Sequence, residues 1–398
     1  MSVRTTRTVL VAVTAVALSA ALAAPALAAG AGGGAGAGHG ATRKAMEAAV
    51  ADGVPGVTLT AKDGHGTWSA TAGVGDLRTG KPRSGDDRYR VGSITKTFVA
   101  TVLLQLEAEG RLSLDDSVEK WLPGLVRGNG HDGSKVSLRR LLNHTSGIFN
   151  YTADEDFGNT YFLKEGFFEH RYDTKKPEEL VAVAMTHKPE FEPGASWSYS
   201  NTNYVLAGMV IEKATGRPYG AEVRDRVIKP LHLTGTSVPG TRVTVPRPSS
   251  RAYSKLAETA TGPTYDVTEL NPSIAHSAGE MISDSRDLGR FYTALLRGKL
   301  LPREQLAEMT TTVPVDERNG YGLGLMKSEL SCGVTVWGHG GGIHGSISEA
   351  VTTKDGRHSL AFNLNGDWSG DTAAVIEAEF CGTDKAAART APHGPDLT

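Results

Sequence analysis

The order of periodicities along the chain constrains its fold most: strand-like segments open and close it, and helix-like segments fill the middle. Gly56–Ala61 and Gly66–Val74 read as strands separated by the turn signal Lys62-Asp63-Gly64. Gly333–Gly338, Ser346–Thr352 and His358–Asn363 have the same character near the other end, with Lys354-Asp355-Gly356 as a turn and Thr372–Phe380 as a closing helix. Between them, Thr95–Glu109 carries apolar residues at Phe98, Val99, Val102, Leu103 and Leu106 and stops at Gly110. Pro177–Met185, Tyr204–Ala214, Asp284–Leu296 and Pro302–Met309 are further helices. Both chain ends therefore build one α/β sheet domain, residues 42–90 and 315–382, and residues 91–314 form a mainly helical insertion. A cleft between such units is where a site is expected.

The first residues belong to a different class. Arg4 and Arg7 precede an apolar run from Val9 to Ala28 that ends in Ala26-Leu27-Ala28, small residues at the outer positions of a cleavage signal. Residues 1–28 are read as a signal peptide, 29–41 as a Gly/Ala-rich lead-in and 383–398 as a disordered tail. The expectation is an exported, extracellular protein with no stable membrane insertion after cleavage. With 42 Lys+Arg against 44 Asp+Glu, the chain has no global attraction to nucleic acid. Its two cysteines, Cys332 and Cys381, are too few for a disulfide framework, but export permits a single bridge between them. No His-Glu-x-x-His or phosphate-loop pattern occurs, so neither metal nor cofactor is expected.

Three short motifs carry chemistry. In the first, Gly92 leads from a strand-like segment into a helix, placing Ser93 at the helix N-terminus and Lys96 three residues on, on the same face. A serine hydroxyl needs a neighbouring base, and a lysine with a lowered pKa can be that base. The helix N-terminus favours negative charge developing beside Ser93. A second Ser-x-x-Lys, Ser117 to Lys120, lies among Asp115, Asp116 and Glu119 and reads as a solvated face. The second motif, Tyr199-Ser200-Asn201, offers a phenol and an amide on a loop before a helix that Asn201 or Thr202 is also placed to cap. The third, His339-Gly340-Gly341, follows a strand, and its glycines let the backbone approach a ligand.

In order, Val91-Gly92-Ser93-Ile94-Thr95-Lys96, Leu142-Asn143-His144-Thr145-Ser146-Gly147, Tyr199-Ser200-Asn201-Thr202-Asn203, Tyr321-Gly322-Leu323-Gly324 and Val336-Trp337-Gly338-His339-Gly340-Gly341 resemble the exported serine D-Ala-D-Ala carboxypeptidases of actinobacteria. These belong to the penicillin-recognising serine hydrolases, which include class C β-lactamases. The resemblance spans residues from about 45 to 382. It implies an antiparallel sheet flanked by helices beside a helical domain, and a Ser93 nucleophile acylated with Lys96 as base. Tyr199 would carry the proton to the leaving group, and Asn201 would orient Lys96 and the substrate amide. His339, Gly340 and Gly341 would line the substrate strand, and the N–H groups of Ser93 and Gly342 would form the oxyanion hole. Cys332 and Cys381 match cysteine positions of the closest carboxypeptidases. Partners would be D-amino-acid peptides such as peptidoglycan stem peptides, with β-lactams as acylating inhibitors, acting on a monomer.

Three departures limit the substrate. The closest carboxypeptidases have His-Thr-Gly-Thr where this chain has His339-Gly340-Gly341-Gly342, an arginine where it has Met326, and a tryptophan where it has Ile274. Carboxylate-reading groups are thus missing, with Arg286, His276 or His344 as candidate substitutes. The leading expectation is a D-Ala-D-Ala carboxypeptidase. The alternatives are a D-amino-acid amidase or D-aminopeptidase, an esterase or a β-lactamase on the same scaffold, or a non-catalytic cell-wall or penicillin-binding sensor.

Overall fold

The computed structural model describes residues 38–257 and 259–382; the apolar run at 9–28 and the segment 383–398 lie outside the described residues. The chain begins with α1 (Gly40–Ala51), then β1 (Gly56–Asp63), β2 (Gly66–Asp76) and β3 (Lys81–Pro82). The long helices of the middle are α2 (Thr95–Ala108), α3 (Asn201–Thr215) and α4 (Ser285–Leu296). The chain closes with β4 (Val313–Pro314), β5 (Asn319–Tyr321), β6 (Met326–Glu329), β7 (Thr335–Ile343), β8 (Ser346–Thr353), β9 (Ser359–Leu364) and α5 (Thr372–Cys381).

These nine strands form one antiparallel sheet in the order β4-β5-β6-β7-β8-β9-β1-β2-β3. β1 pairs with β9 and joins the two chain ends, Leu59 opposite Phe362 and Ala61 opposite Leu360. The period-2 alternation sends Val57, Leu59, Ala61, Leu360, Phe362 and Leu364 to one face. There they bury Met46 and Ala49 of α1 and Val375 of α5. α4 packs on the sheet through β8, β9 and β1, and a larger apolar cluster joins it to α2 and α3. In α2 only three of fourteen residues escape burial, so this helix is enclosed on all sides rather than amphipathic. Phe98 stacks on Phe291 of α4 with ring centroids 3.7 Å apart.

Two boundaries differ from the sequence reading. α1 begins at Gly40, inside the stretch read as lead-in, and Thr42 within it is buried and donates to Glu379 at 2.7 Å. β7 continues through His339–Ile343, so the third motif lies within a strand instead of after one. The glycines gave no β-propensity signal, yet the ladder to β8 runs unbroken from Val336↔Thr353 to Ile343↔Ser346.

Cys332, in the turn between β6 and β7, is bonded to Cys381, the last residue of α5, with Cα atoms 5.8 Å apart. The bridge closes a sequence separation of 49 residues, for which loop entropy gives about 4 kcal/mol as an upper figure. Replacing both cysteines by serine is expected to lower stability by about 2–4 kcal/mol, read from urea unfolding with midpoint and slope both fitted, since the unbridged denatured chain is less compact.

Candidate active site

Ser93 lies in a 3₁₀ turn, Gly92–Ile94, that runs directly into α2. The turn exists because position 92 is glycine. Its φ is +52°, and a Cβ there would sit 2.5 Å from the Gly342 oxygen of β7. The reverse contact is as tight: a Cβ at Gly341 would lie 2.1 Å from the Val91 oxygen and 2.6 Å from the Ser93 nitrogen. The nucleophile turn and the glycine strand thus touch backbone to backbone. Gly341→Ala is expected to force them apart, costing about 1–3 kcal/mol of stability and most of the activity, by thermal melt and turnover.

Lys96 is fully buried, and its Nζ has three partners: Ser93 Oγ at 2.9 Å, Asn201 Oδ1 at 2.7 Å and the Ala278 carbonyl at 2.8 Å. Two of these can only accept. The third is a hydroxyl that can also donate. An ammonium would donate to all three; a neutral amine satisfies the same set, with two N–H bonds to Asn201 and Ala278 and its lone pair open to the Ser93 proton. Burial, with no carboxylate hydrogen-bonded to the amine, holds Lys96 well below the usual lysine range. Asn201 is fixed in turn, its N–H on Asn150 Oδ1 at 2.9 Å and its Nδ2 on Thr152 Oγ1 at 3.1 Å. It is the first residue of α3 and does not cap it; Thr202 likewise spends its hydroxyl on the Phe149 carbonyl.

The Tyr199 ring lies 4.8 Å from Lys96 Nζ. Its hydroxyl is buried beside Ser93. Burial raises the phenol above its ordinary value, partly offset by Ser93, so it holds its proton at neutral pH. On the opposite side, β6 covers β7 only as far as Gly338. From His339 onward that edge of β7 has no strand partner among the described residues, leaving main-chain groups for an extended substrate. The N–H of Ser93 lies in the first turn of its helical segment, and that of Gly342 lies on β7 beside Gly92.

The His339 imidazole is 1% exposed and both its nitrogens are engaged. Nδ1 meets the Gly340 carbonyl, which can only accept, so Nδ1 carries the proton; Nε2 then accepts from the Tyr321 hydroxyl at 2.9 Å. Burial, reinforced by Lys96, depresses its pKa to about 3.

A family model described as Beta-lactamase matches residues 42–375 of the chain. The chain belongs to the Beta-lactamase family. A D-stereospecific amidohydrolase from Streptomyces sp. is 66% identical, with a TM-score of 0.83 over 87% of this chain and 99% of its own. A D-amino acid amidase from Ochrobactrum anthropi SV3, complexed with L-phenylalanine amide, is 30% identical, with a TM-score of 0.72 over 85% of this chain and 97% of its own. Penicillin-binding protein 4* of Bacillus subtilis (strain 168) is 27% identical over 327 residues, 78% of this chain and 68% of its own. The chain is accordingly a serine hydrolase of this family, with penicillin-binding proteins and D-amino acid amidases among its relatives.

Within this family site, the three candidate substitutes for the missing carboxylate readers are engaged elsewhere. Arg286 pairs with Asp86 at the surface at 2.6 Å. His344 Nε2 donates to the Tyr161 carbonyl at 2.8 Å. His276 packs on Tyr219 and contacts Ser277 Oγ at 2.9 Å. Met326 is half-buried opposite Gly338, and Ile274 is buried with its carbonyl taken by the Tyr151 hydroxyl at 2.6 Å. The second Ser-x-x-Lys is a surface feature: Ser117 caps a short helix and exposed Lys120 pairs with Asp116 at 2.7 Å. Sequence reasoning gave no role to Asn150, Thr152, Ala278, His144 or Tyr321. The last two lie in flagged motifs; nothing in the sequence pointed to the other three.

Proposed function

We propose that this protein is an exported D-stereospecific amidohydrolase, cleaving amides of D-amino acids or D-peptides through a Ser93 acyl-enzyme. The observation that carries this reading is His339, neutral and with both nitrogens committed. Glycines 340–342 supply no hydroxyl and Met326 no guanidinium, so the site offers no cation to a free C-terminal carboxylate. The Streptomyces and Ochrobactrum likenesses favour the same class, and amidase thereby displaces carboxypeptidase as the leading reading. The Cys332–Cys381 bridge supports an oxidising, extracellular compartment.

In this mechanism the Ser93 Oγ attacks the amide carbon as its proton passes to Lys96 Nζ. The negative oxygen is held by the N–H groups of Ser93 and Gly342. The proton moves through the Tyr199 hydroxyl to the departing nitrogen, which leaves as ammonia or an amine. Water then adds to the ester carbonyl, losing its proton to the same Lys96–Tyr199 pair, and Ser93 is regenerated with release of the D-acid. The test is kcat/KM for D-phenylalanine amide, its L enantiomer and an N-acylated D-Ala-D-Ala free acid. Two forgone charge-assisted hydrogen bonds, about 3 kcal/mol or roughly 100-fold, should make the free acid much poorer than the D-amide. A free-acid peptide as best substrate would restore the carboxypeptidase reading.

A further inference from the structure

We propose that His144 is a positioning residue for catalysis: it holds the Tyr199 phenol in line for proton transfer to the leaving group. The role rests on the amidohydrolase reading above. His144 occupies the turn after Leu138–Leu142 with φ of +61°, a left-handed conformation uncommon for a side-chain-bearing residue, and it is fully buried. It grips both neighbours of Tyr199. Its carbonyl accepts the Ser198 N–H at 3.1 Å, and its Nδ1 accepts the Ser200 N–H at 3.2 Å.

A backbone N–H can only donate, so Nδ1 bears the lone pair and the proton is on Nε2. Asn203 agrees with this tautomer: its Oδ1 accepts from Ser146 Oγ at 2.6 Å, which turns its Nδ2 toward His144 Nδ1 at 3.1 Å. The imidazole lies 4.2 Å from the Tyr199 ring and 4.8 Å from that of Tyr321, which holds His339. One ring therefore packs between Tyr199 of the second motif and the tyrosine that holds the third motif's histidine. The placement of the Tyr199 hydroxyl beside Ser93 depends on how its ring and the flanking backbone are held. Burial and the neighbouring Lys96 and His339 keep His144 neutral. It touches none of the reacting atoms and acts through Tyr199.

The leaving group separates this role from a merely structural one. An amine must be protonated as it departs; p-nitrophenolate need not be. In His144→Ala, kcat for D-phenylalanine amide should fall roughly 10- to 100-fold, part of the ~10²–10⁴ a positioned proton donor contributes. Acylation by a D-phenylalanine p-nitrophenyl ester should fall by less than about 3-fold, both rates taken per active site counted from the ester burst. KM should change little. His144→Asn keeps an acceptor near Nδ1 and tolerates positive φ; it should recover part of the amide rate and serves as the test if the alanine variant does not fold. Equal losses on amide and ester, or wild-type ratios in both variants, would overturn the role of His144. A wild-type enzyme with no turnover of the D-amide would overturn the amidohydrolase reading and this role together.

Discussion

Lys96→Met is expected to reduce amide kcat/KM by at least about 10³-fold while the protein remains folded. Methionine is close to lysine in length and suits a site with no exposure. The variant leaves Asn201 Oδ1 and the Ala278 carbonyl without a donor, which costs about 1–3 kcal/mol, and removes an amine whose burial is itself unfavourable. Folding should therefore change far less than activity. The wild-type pH profile tests the same assignment. The base form of Lys96 is the active one, so the rate should rise with pH through a limb whose midpoint lies well below the ordinary lysine value of 10.5. His144 and His339 are held neutral by burial, His339 with a pKa of about 3, so neither should add a limb between about pH 5 and 8. A profile governed by a group removed in a histidine variant but retained in Lys96→Met would contradict the lysine as base.

Tyr199→Phe should separate activity from stability in the opposite direction. The hydroxyl is buried and its neighbour Ser93 keeps its hydrogen bond with Lys96, so its deletion removes a buried polar group without orphaning a partner. The melting temperature should hold or rise, equivalent to up to about 1 kcal/mol. Amide turnover should fall by about 10²–10³-fold, with much less effect on an activated ester. Differential scanning calorimetry and paired amide and ester assays read both effects. A destabilised variant with unchanged amide turnover would make Tyr199 a packing residue.

The positions that a local signal specifies were legible in the sequence. Alternation gave β1, β2, β8 and β9, and Gly92 before Ser93 and Lys96 marked the nucleophile turn. The positions that depend on tertiary closure were not. The His339–Ile343 half of β7 is strand only because β8 pairs with it, against the propensity of its glycines. Ala278 reaches Lys96 through its backbone carbonyl, for which no side chain can signal. His339 was expected to line the substrate strand, but nothing local signals that Tyr321, eighteen residues earlier in the chain, occupies its Nε2. The same contact moves the substrate expectation from free acid to amide.

Acid quench of the enzyme in steady state with a D-phenylalanine ester, followed by peptide mass spectrometry, tests the central claim most directly. The account predicts a D-phenylalanyl adduct on the peptide containing Ser93, absent in Ser93→Ala. Turnover with no adduct, or an adduct on another residue, would contradict it.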